Sequence, residues 1–326
     1  MHPDAPALDA ISFLLMWTAV AIYALAFIAY AFDLARRSQA SLERADAKVL
    51  VGAGAGAPSE LPPGAAVAAR VAERKTRLFG RIGTVLTVLG WLFHLTGTVL
   101  RGVAAGRVPW SNMYEFAMTG TLLITAVYLG VLFWRDLRFL GTFMVGLVTV
   151  LMGAATLYHV DVVPLMDPLK SVWLVVHVFV ASLATAFLAL GFGLSVLQLL
   201  QARRERLAVD AEPKRSFLRT LPSAEALEGL AYRFAIIGFI FWTFTLIAGS
   251  IWAQDAWGRY WGFDTKEVWT FIIWVLYAGY IHARATRGWR GTRSAWLSIV
   301  GFIAVIFNFT IVNQFFQGLH AYSGLS

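Results

Sequence analysis

Five tryptophans fall between positions 252 and 274, in WAQDAWGRYWGFDTKEVWTFIIW, around Arg259, Asp264, Lys266 and Glu267. A tryptophan face suits another flat aromatic body, and its amphipathic ring also suits the boundary between membrane and water. Six histidines are spread along the chain, at 2, 94, 159, 177, 282 and 320. Imidazole ligates transition metals and carries protons near neutral pH. Cysteine is absent, so the chain forms no disulfide, and any thiol chemistry it serves comes from another molecule. What the histidines and tryptophans do depends on the elements that hold them.

Those elements are membrane helices. Of the 326 residues, 59% are hydrophobic and only 14% are charged, a balance far more apolar than that of a soluble domain. Runs of about twenty apolar residues, enough to cross roughly 30 Å of hydrocarbon, recur along the chain. Eight spans are expected, at 10–32, 82–100, 115–134, 139–158, 171–200, 233–252, 266–283 and 295–316. No basic segment precedes the first, which reads as a retained helix and not a cleaved leader. The predicted fold is an all-α polytopic bundle of about eight transmembrane helices. It divides into an N-terminal transmembrane helix over 1–35, a flexible cytoplasmic linker over 36–80 containing VGAGAGAPSELPPGAAVAAR, and a transmembrane domain over 81–326 with its tryptophan-rich loop at 252–274.

The formal charge of +8 does not point to nucleic acid, because arginine and lysine concentrate in alternate connections: 36–81, 135–138, 203–219 and 284–293. The positive-inside rule places these in the cytoplasm, and both termini and the tryptophan-rich loop then face outward.

Within that topology the histidines separate. His2 sits at a terminus, and His159 beside Asp161 reads as a solvated loop residue. His94 and His177 each lie about seven residues inside a span, roughly 10 Å below the outer boundary. A buried ionisable group there is either functional or a neutral imidazole bonded to a carbonyl, and both alternatives stay open. His320 follows the last span on the outer side. His282 lies about 18 residues beyond Asp264 on the seventh span, roughly 27 Å of helix, and belongs near the cytoplasmic end.

The loop carries structural duties as well. Asp264 and Glu267 have the spacing of a capping box and are expected to start the seventh helix. Lys266 then stands in the first turn of an outward helix terminus, where the macrodipole favours anions, with Arg259 nearby. A flat macrocycle with two carboxylates and an iron that takes imidazole matches this set. Haem is the expected ligand, with tryptophans covering the ring and Lys266 or Arg259 pairing the propionates.

Three segments carry a resemblance. WGRYWGFDTKEVWTFIIWVLYAGYIHAR resembles the WWD signature of the cytochrome c assembly superfamily of haem-handling membrane proteins. GRVPWSNMYEFA and VNQFFQGLHAYS are similar to segments of its CcsA/CcsB/ResC branch, part of the two-component cytochrome c synthesis system. The likeness covers about residues 80–326. It implies an outward haem site ligated by His177 and His320, and an inner transmembrane site in which His282 is one ligand and a partner supplies the other. A role for His94 stays open. Phe263 stands where the signature more often has tryptophan.

The resemblance implies cytochrome c maturation. In that reading the chain binds haem b and delivers it across, or at the outer face of, the membrane for thioether attachment to an apocytochrome c with a CxxCH motif. It works as one half of a haem lyase complex with a ResB-type membrane partner, and thiol-reducing proteins act on the substrate. Asp264, Arg259, Lys266, Trp257, Trp261 and Trp269 are the expected haem-binding residues beside the ligands, while Trp252 and Trp274 are expected to face the membrane. The expected location is a bacterial plasma membrane, with a thylakoid membrane second. The competing readings are a haem chaperone of the multi-component assembly system and a haem-bearing electron-transfer subunit. The latter usually has two histidines on one span, and no span here has two.

Overall fold

The computed structural model describes residues 4–53, 78–207, 217–286, 288–316 and 318–320, and among these there is no strand. Its helices are α1 (Ala5–Ala53), α2 (Leu78–Ala105), α3 (Met113–Trp134), α4 (Gly141–Ala155), α5 (Val172–Leu207), α6 (Ala224–Trp257), α7 (Thr265–Thr286), α8 (Thr292–Phe309) and the short α9 (Ile311–Phe315). Seven are long and apolar enough to cross a membrane. The eighth long helix, α7, matches α3 at 22 residues but is made more polar by Lys266, Glu267, His282 and Arg284. The protein is an all-α integral membrane protein, because in hydrocarbon a backbone must satisfy its own polar groups and helices do so.

Three boundaries differ from those expected. The first helix continues past position 35 to Ala53, so the expected linker begins later, and its 54–77 portion lies outside the described residues. The tryptophan-rich loop is far shorter than 252–274. α6 runs to Trp257, where Gly258 at φ 69° closes it by donating to the Gln254 carbonyl, and α7 begins at Thr265. The last span is broken at Thr310, which separates α8 from α9.

α1 packs along α2 through a seam spaced alternately three and four residues apart: Gly80, Gly83, Thr87, Gly90, His94, Gly97 and Arg101, all buried. The glycines let the backbones approach. A Cβ at Gly83 would stand 2.9 Å from the Tyr30 ring, and one at Gly90 2.9 Å from Tyr23.

The two ends of the bundle are tied differently. At one end Arg101, fully buried, binds Asp9 of α1, Glu115 of α3 and the Val160 carbonyl. Glu115 also accepts from Arg107 at 2.6 Å and from the Ser111 backbone at 2.9 Å, which ties down the loop before α3. At the other end Glu228 joins α6 to Arg284 of α7 at 3.1 Å and to the Gly291 backbone before α8 at 2.9 Å.

Candidate functional site

The site lies at the Arg101 end, where α5, α6 and the chain after α9 converge. His177, in the second turn of α5, has Nδ1 3.0 Å from the Thr245 carbonyl of α6. Its ring lies flat against α6 only because residue 249 is glycine: a Cβ there would stand 2.8 Å from Nδ1 and Cε1. Three residues on, Trp252 stacks against His177 with ring centroids 5.8 Å apart and planes 18° apart. Its indole N–H donates to the Pro168 carbonyl at 2.9 Å.

His320 meets the same tryptophan edge to face, with ring centroids 5.4 Å from Trp252 and 4.8 Å from Trp257. Asp264 positions it. Leu319 N donates to Asp264 Oδ2 at 2.7 Å, and His320 Nδ1 lies 3.3 Å from Oδ1, close but not aligned for a good hydrogen bond. A carboxylate at that place favours the proton on Nδ1, as the Thr245 carbonyl does for His177. Both Nε2 atoms are then left with free lone pairs, the state a metal-ligating imidazole needs.

Asp264 and Glu267 form the expected capping box. Asp264 Oδ1 accepts from Lys266 N at 2.9 Å, and Glu267 Oε2 accepts from Asp264 N at 3.1 Å and Gly262 N at 2.8 Å. Two N–H groups aimed at one oxygen hold the intervening Phe263 at φ 58°, left-handed and rare for a bulky residue. The short range of a carboxylate clamp thus carries order from the start of α7 to His320.

Asp264 and His320 lie outside the spans, and both are shifted. The contact with His320 is the main influence holding the Asp264 carboxyl well below its usual range, against burial, which opposes it. Burial pulls His320 below its ordinary value, partly offset by Asp264.

Two cavities meet at this point. One of about 210 Å³ lies between α3, α5, α6 and α8 and descends past Thr185, Ile124 and Phe302 into the bundle. The other, about 70 Å³, lies toward Tyr260 and Trp261. His177, His320, Trp252, Thr245, Thr270 and Lys266 border both. Lys266 donates to Asn313 Oδ1 and has no ion-pair partner among the described residues.

Several residues stand elsewhere than expected. Trp252 faces the site and not the membrane, with 3% of its surface exposed. Trp269 borders neither cavity and packs on Phe307 at 4.4 Å, because Thr270 is the residue of that turn that faces inward. Trp257 meets His320 by its edge, Trp261 borders the smaller cavity, and Trp274 donates to Thr243 Oγ1 at 2.9 Å. Arg259 is engaged with Glu267 Oε1 at 3.5 Å and lies over Trp257, bordering neither cavity. His94 is a packing residue of the α1–α2 seam, with Nε2 2.8 Å from the Met118 carbonyl and Nδ1 3.3 Å from Tyr23 Oη. His159 is only partly solvated: it packs between Phe13 and Tyr114, with Nε2 3.6 Å from Asp9. His282 is exposed, at the opposite end of α7 from the site.

Residues 110–320, from the loop before α3 through His320, match the family described as cytochrome C assembly protein. The chain belongs to that family. The cytochrome c biogenesis protein CcsA of Guillardia theta is 33% identical over 252 residues, 71% of this chain and 83% of that protein. CcsA of Trieres chinensis is 30% identical over 280 residues (77% and 89%), and that of Synechococcus sp. (strain JA-3-3Ab) 31% over 296 residues (75% and 84%). The solved structure of the cytochrome c haem lyase CcmF shares the fold, with a TM-score of 0.58 and 16% identity over 91% of this chain and 46% of that one. The protein is thus a CcsA-type member of the family, and its work is cytochrome c maturation and haem handling.

Proposed function

We propose that the chain holds haem b between His177 and His320 at the outer face of the membrane and presents it to apocytochrome c. The observation that carries this reading is the convergence of two histidines on Trp252, each with Nδ1 facing an acceptor and Nε2 free, at the meeting of two cavities. Among the described residues no three His, Asp or Glu side chains gather to hold a bare ion. Two imidazoles complete an iron whose other four ligands come from a tetrapyrrole.

His177 and His320 hold the iron, and Trp252 sets the rings that face it. Lys266 offers a cation for a propionate. Each apocytochrome thiol adds across a vinyl group, its sulfur bonding one carbon and its hydrogen the other, so the addition itself needs no oxidant. Because His320 lies on the short segment after α9, it is the ligand more easily displaced by the histidine of the CxxCH motif. Apocytochrome c and a ResB-type membrane partner complete the complex. An inner haem position shared with that partner uses His282, exposed on the face of α7 that also presents Phe271 and Val275. The positive connections support a site on the outer side of a bacterial plasma membrane, or the equivalent side of a thylakoid membrane.

Optical spectra of the detergent-purified chain, coproduced with its partner, test this. A six-coordinate b-type spectrum is expected, altered or lost in His177→Ala and His320→Ala, while His282→Ala removes a separate fraction of haem. Haem retained with an unchanged spectrum in both outer variants would refute the assignment.

A further inference from the structure

The larger cavity has a second polar wall that the histidines and Lys266 do not explain. It comes from the loop before α3. Trp110 and Asn112 both border the cavity, and Trp110 Nε1 and Asn112 Nδ2 are buried without a hydrogen-bond partner among the described residues. Asn112 is 7% exposed. Its other side-chain atom is already used: Oδ1 accepts from Glu115 N at 2.9 Å and caps α3. Buried donors are ordinarily satisfied, and leaving one empty costs about 1–3 kcal/mol. These two are held in place by the Arg107–Glu115 ion pair and by Thr119, whose hydroxyl donates to the Pro109 carbonyl at 3.1 Å.

The wall continues toward Lys266. Asn313 borders the same cavity, accepts from Lys266 Nζ and contacts Met113 Sδ at 3.2 Å, so it ties the start of α3 to the start of α7. Two helix N-termini therefore converge on one rim, their own acids, Glu115 on α3 and Asp264 with Glu267 on α7, being engaged in capping and ion pairs away from the cavity lining. With them come the Lys266 ammonium, with no carboxylate in ion-pair contact among the described residues and only Asp264 acting on it from farther off, and N–H donors lacking acceptors. No acid among the residues bordering this cavity answers them. The missing group is an anion with several acceptor oxygens.

We propose that Trp110 and Asn112 are haem-binding residues: their free N–H groups, with Lys266, form the seat for the ligand's carboxylates. This rests on the reading that the cavity takes haem. It fixes the ligand's rotation, since carboxylates drawn toward the α3 and α7 N-termini turn the opposite, vinyl-bearing edge away from that wall. The loop is in this reading a specificity element for acid-bearing macrocycles.

The experiment uses the full chain in detergent, titrated with haemin and with haemin dimethyl ester, which lacks the two negative charges. Asn112→Asp keeps the cap on α3, because aspartate caps as well as asparagine, but replaces the donor with an anion. Trp110→Phe keeps a ring and deletes only the N–H. Haemin affinity is expected to fall about tenfold or more in each, the loss of a hydrogen bond to a charged group. Affinity for the ester should change by less than about threefold, and the six-coordinate spectrum should persist. If both variants bind haemin as the wild type does, or lose haemin and ester equally, the carboxylate seat is wrong while the histidine site stands. If the wild type takes up haemin without the bis-imidazole spectrum, the histidine site and this inference fall together.

Discussion

Asp264 is one side chain with three tasks: it caps α7, accepts from the Leu319 backbone, and sits beside His320 Nδ1. Asp264→Asn keeps the cap and removes the charge, but it turns an amide NH2 toward the Leu319 N–H, so it removes the second and third tasks together. Carboxylates behind ligating histidines raise ligand basicity, and losing them costs about 10–100-fold in affinity. Haem retention should fall by about that much with helix content unchanged, and the reduction potential should rise, since a poorer donor favours ferrous iron. Redox titration of the variant checks this. The pH dependence follows from the two shifts. His320 is held below its ordinary value of 6.5, so its neutral form is the folded form, and the stability this contributes is complete above pH 6.5 and lost as pH falls below it. Asp264 adds a second loss starting below its ordinary value of 3.8. Thermal denaturation of the haem-free protein should be flat near neutrality and decline below about pH 6, and His320→Gln should remove the first part of that decline.

The helices carry the site through places where a side chain is missing or a charge is buried. Gly249→Ala should raise helix propensity by about 1 kcal/mol yet displace His177, whose ring occupies the space of a Cβ. Unchanged or raised thermal stability with a clear loss of bis-imidazole spectrum is the expected result, and retention of the spectrum would mean the ring has room to shift. Glu115→Gln should instead act on folding. It leaves Arg101 and Arg107 without their shared carboxylate in a buried network and should cost about 3 kcal/mol, read as a lowered melting temperature. Such features mark what the sequence discloses and what it withholds. The apolar spans and the Asp264–Glu267 capping box follow from short-range rules: the structure has the box and eight long helices, seven of them apolar enough to cross a membrane. Trp252 and Trp269 do not: their spacing is similarly helical, and only the tertiary neighbours decide that one meets His177 while the other meets Phe307. Asp9, Arg101 and Glu115 left a signal that the histidines overshadowed, namely ionisable residues at the ends of apolar spans. The donors of Trp110 and Asn112 left none, since a free N–H is a property of the folded surroundings.

At the scale of the whole molecule, the two ends differ in what they hold. The site end gathers Asp9, Arg101, Glu115, Pro168, Asp264 and His320 through contacts between segments far apart in the chain. The other end carries the Glu228–Arg284 pair, Arg138, Arg219 and Arg290 in its connections, and Arg203 and Arg293 at the helix ends beside them. Eight crossings between such ends would leave both termini on one side, and the positive-inside rule predicts that side to be the outer one. The absence of cysteine makes this directly measurable, since any single introduced thiol is the only one present. Asp161→Cys, exposed in the connection before α5, and Arg290→Cys, exposed in the connection before α8, lie at opposite ends. A membrane-impermeant maleimide applied to intact cells should label Asp161→Cys and leave Arg290→Cys unlabelled until the membrane is opened. The reverse pattern would put the histidine pair in the cytoplasm, where the apocytochrome would have to be met before export. Labelling of Asp161→Cys in intact cells places the free imidazole nitrogens on the side where haem must be handed over.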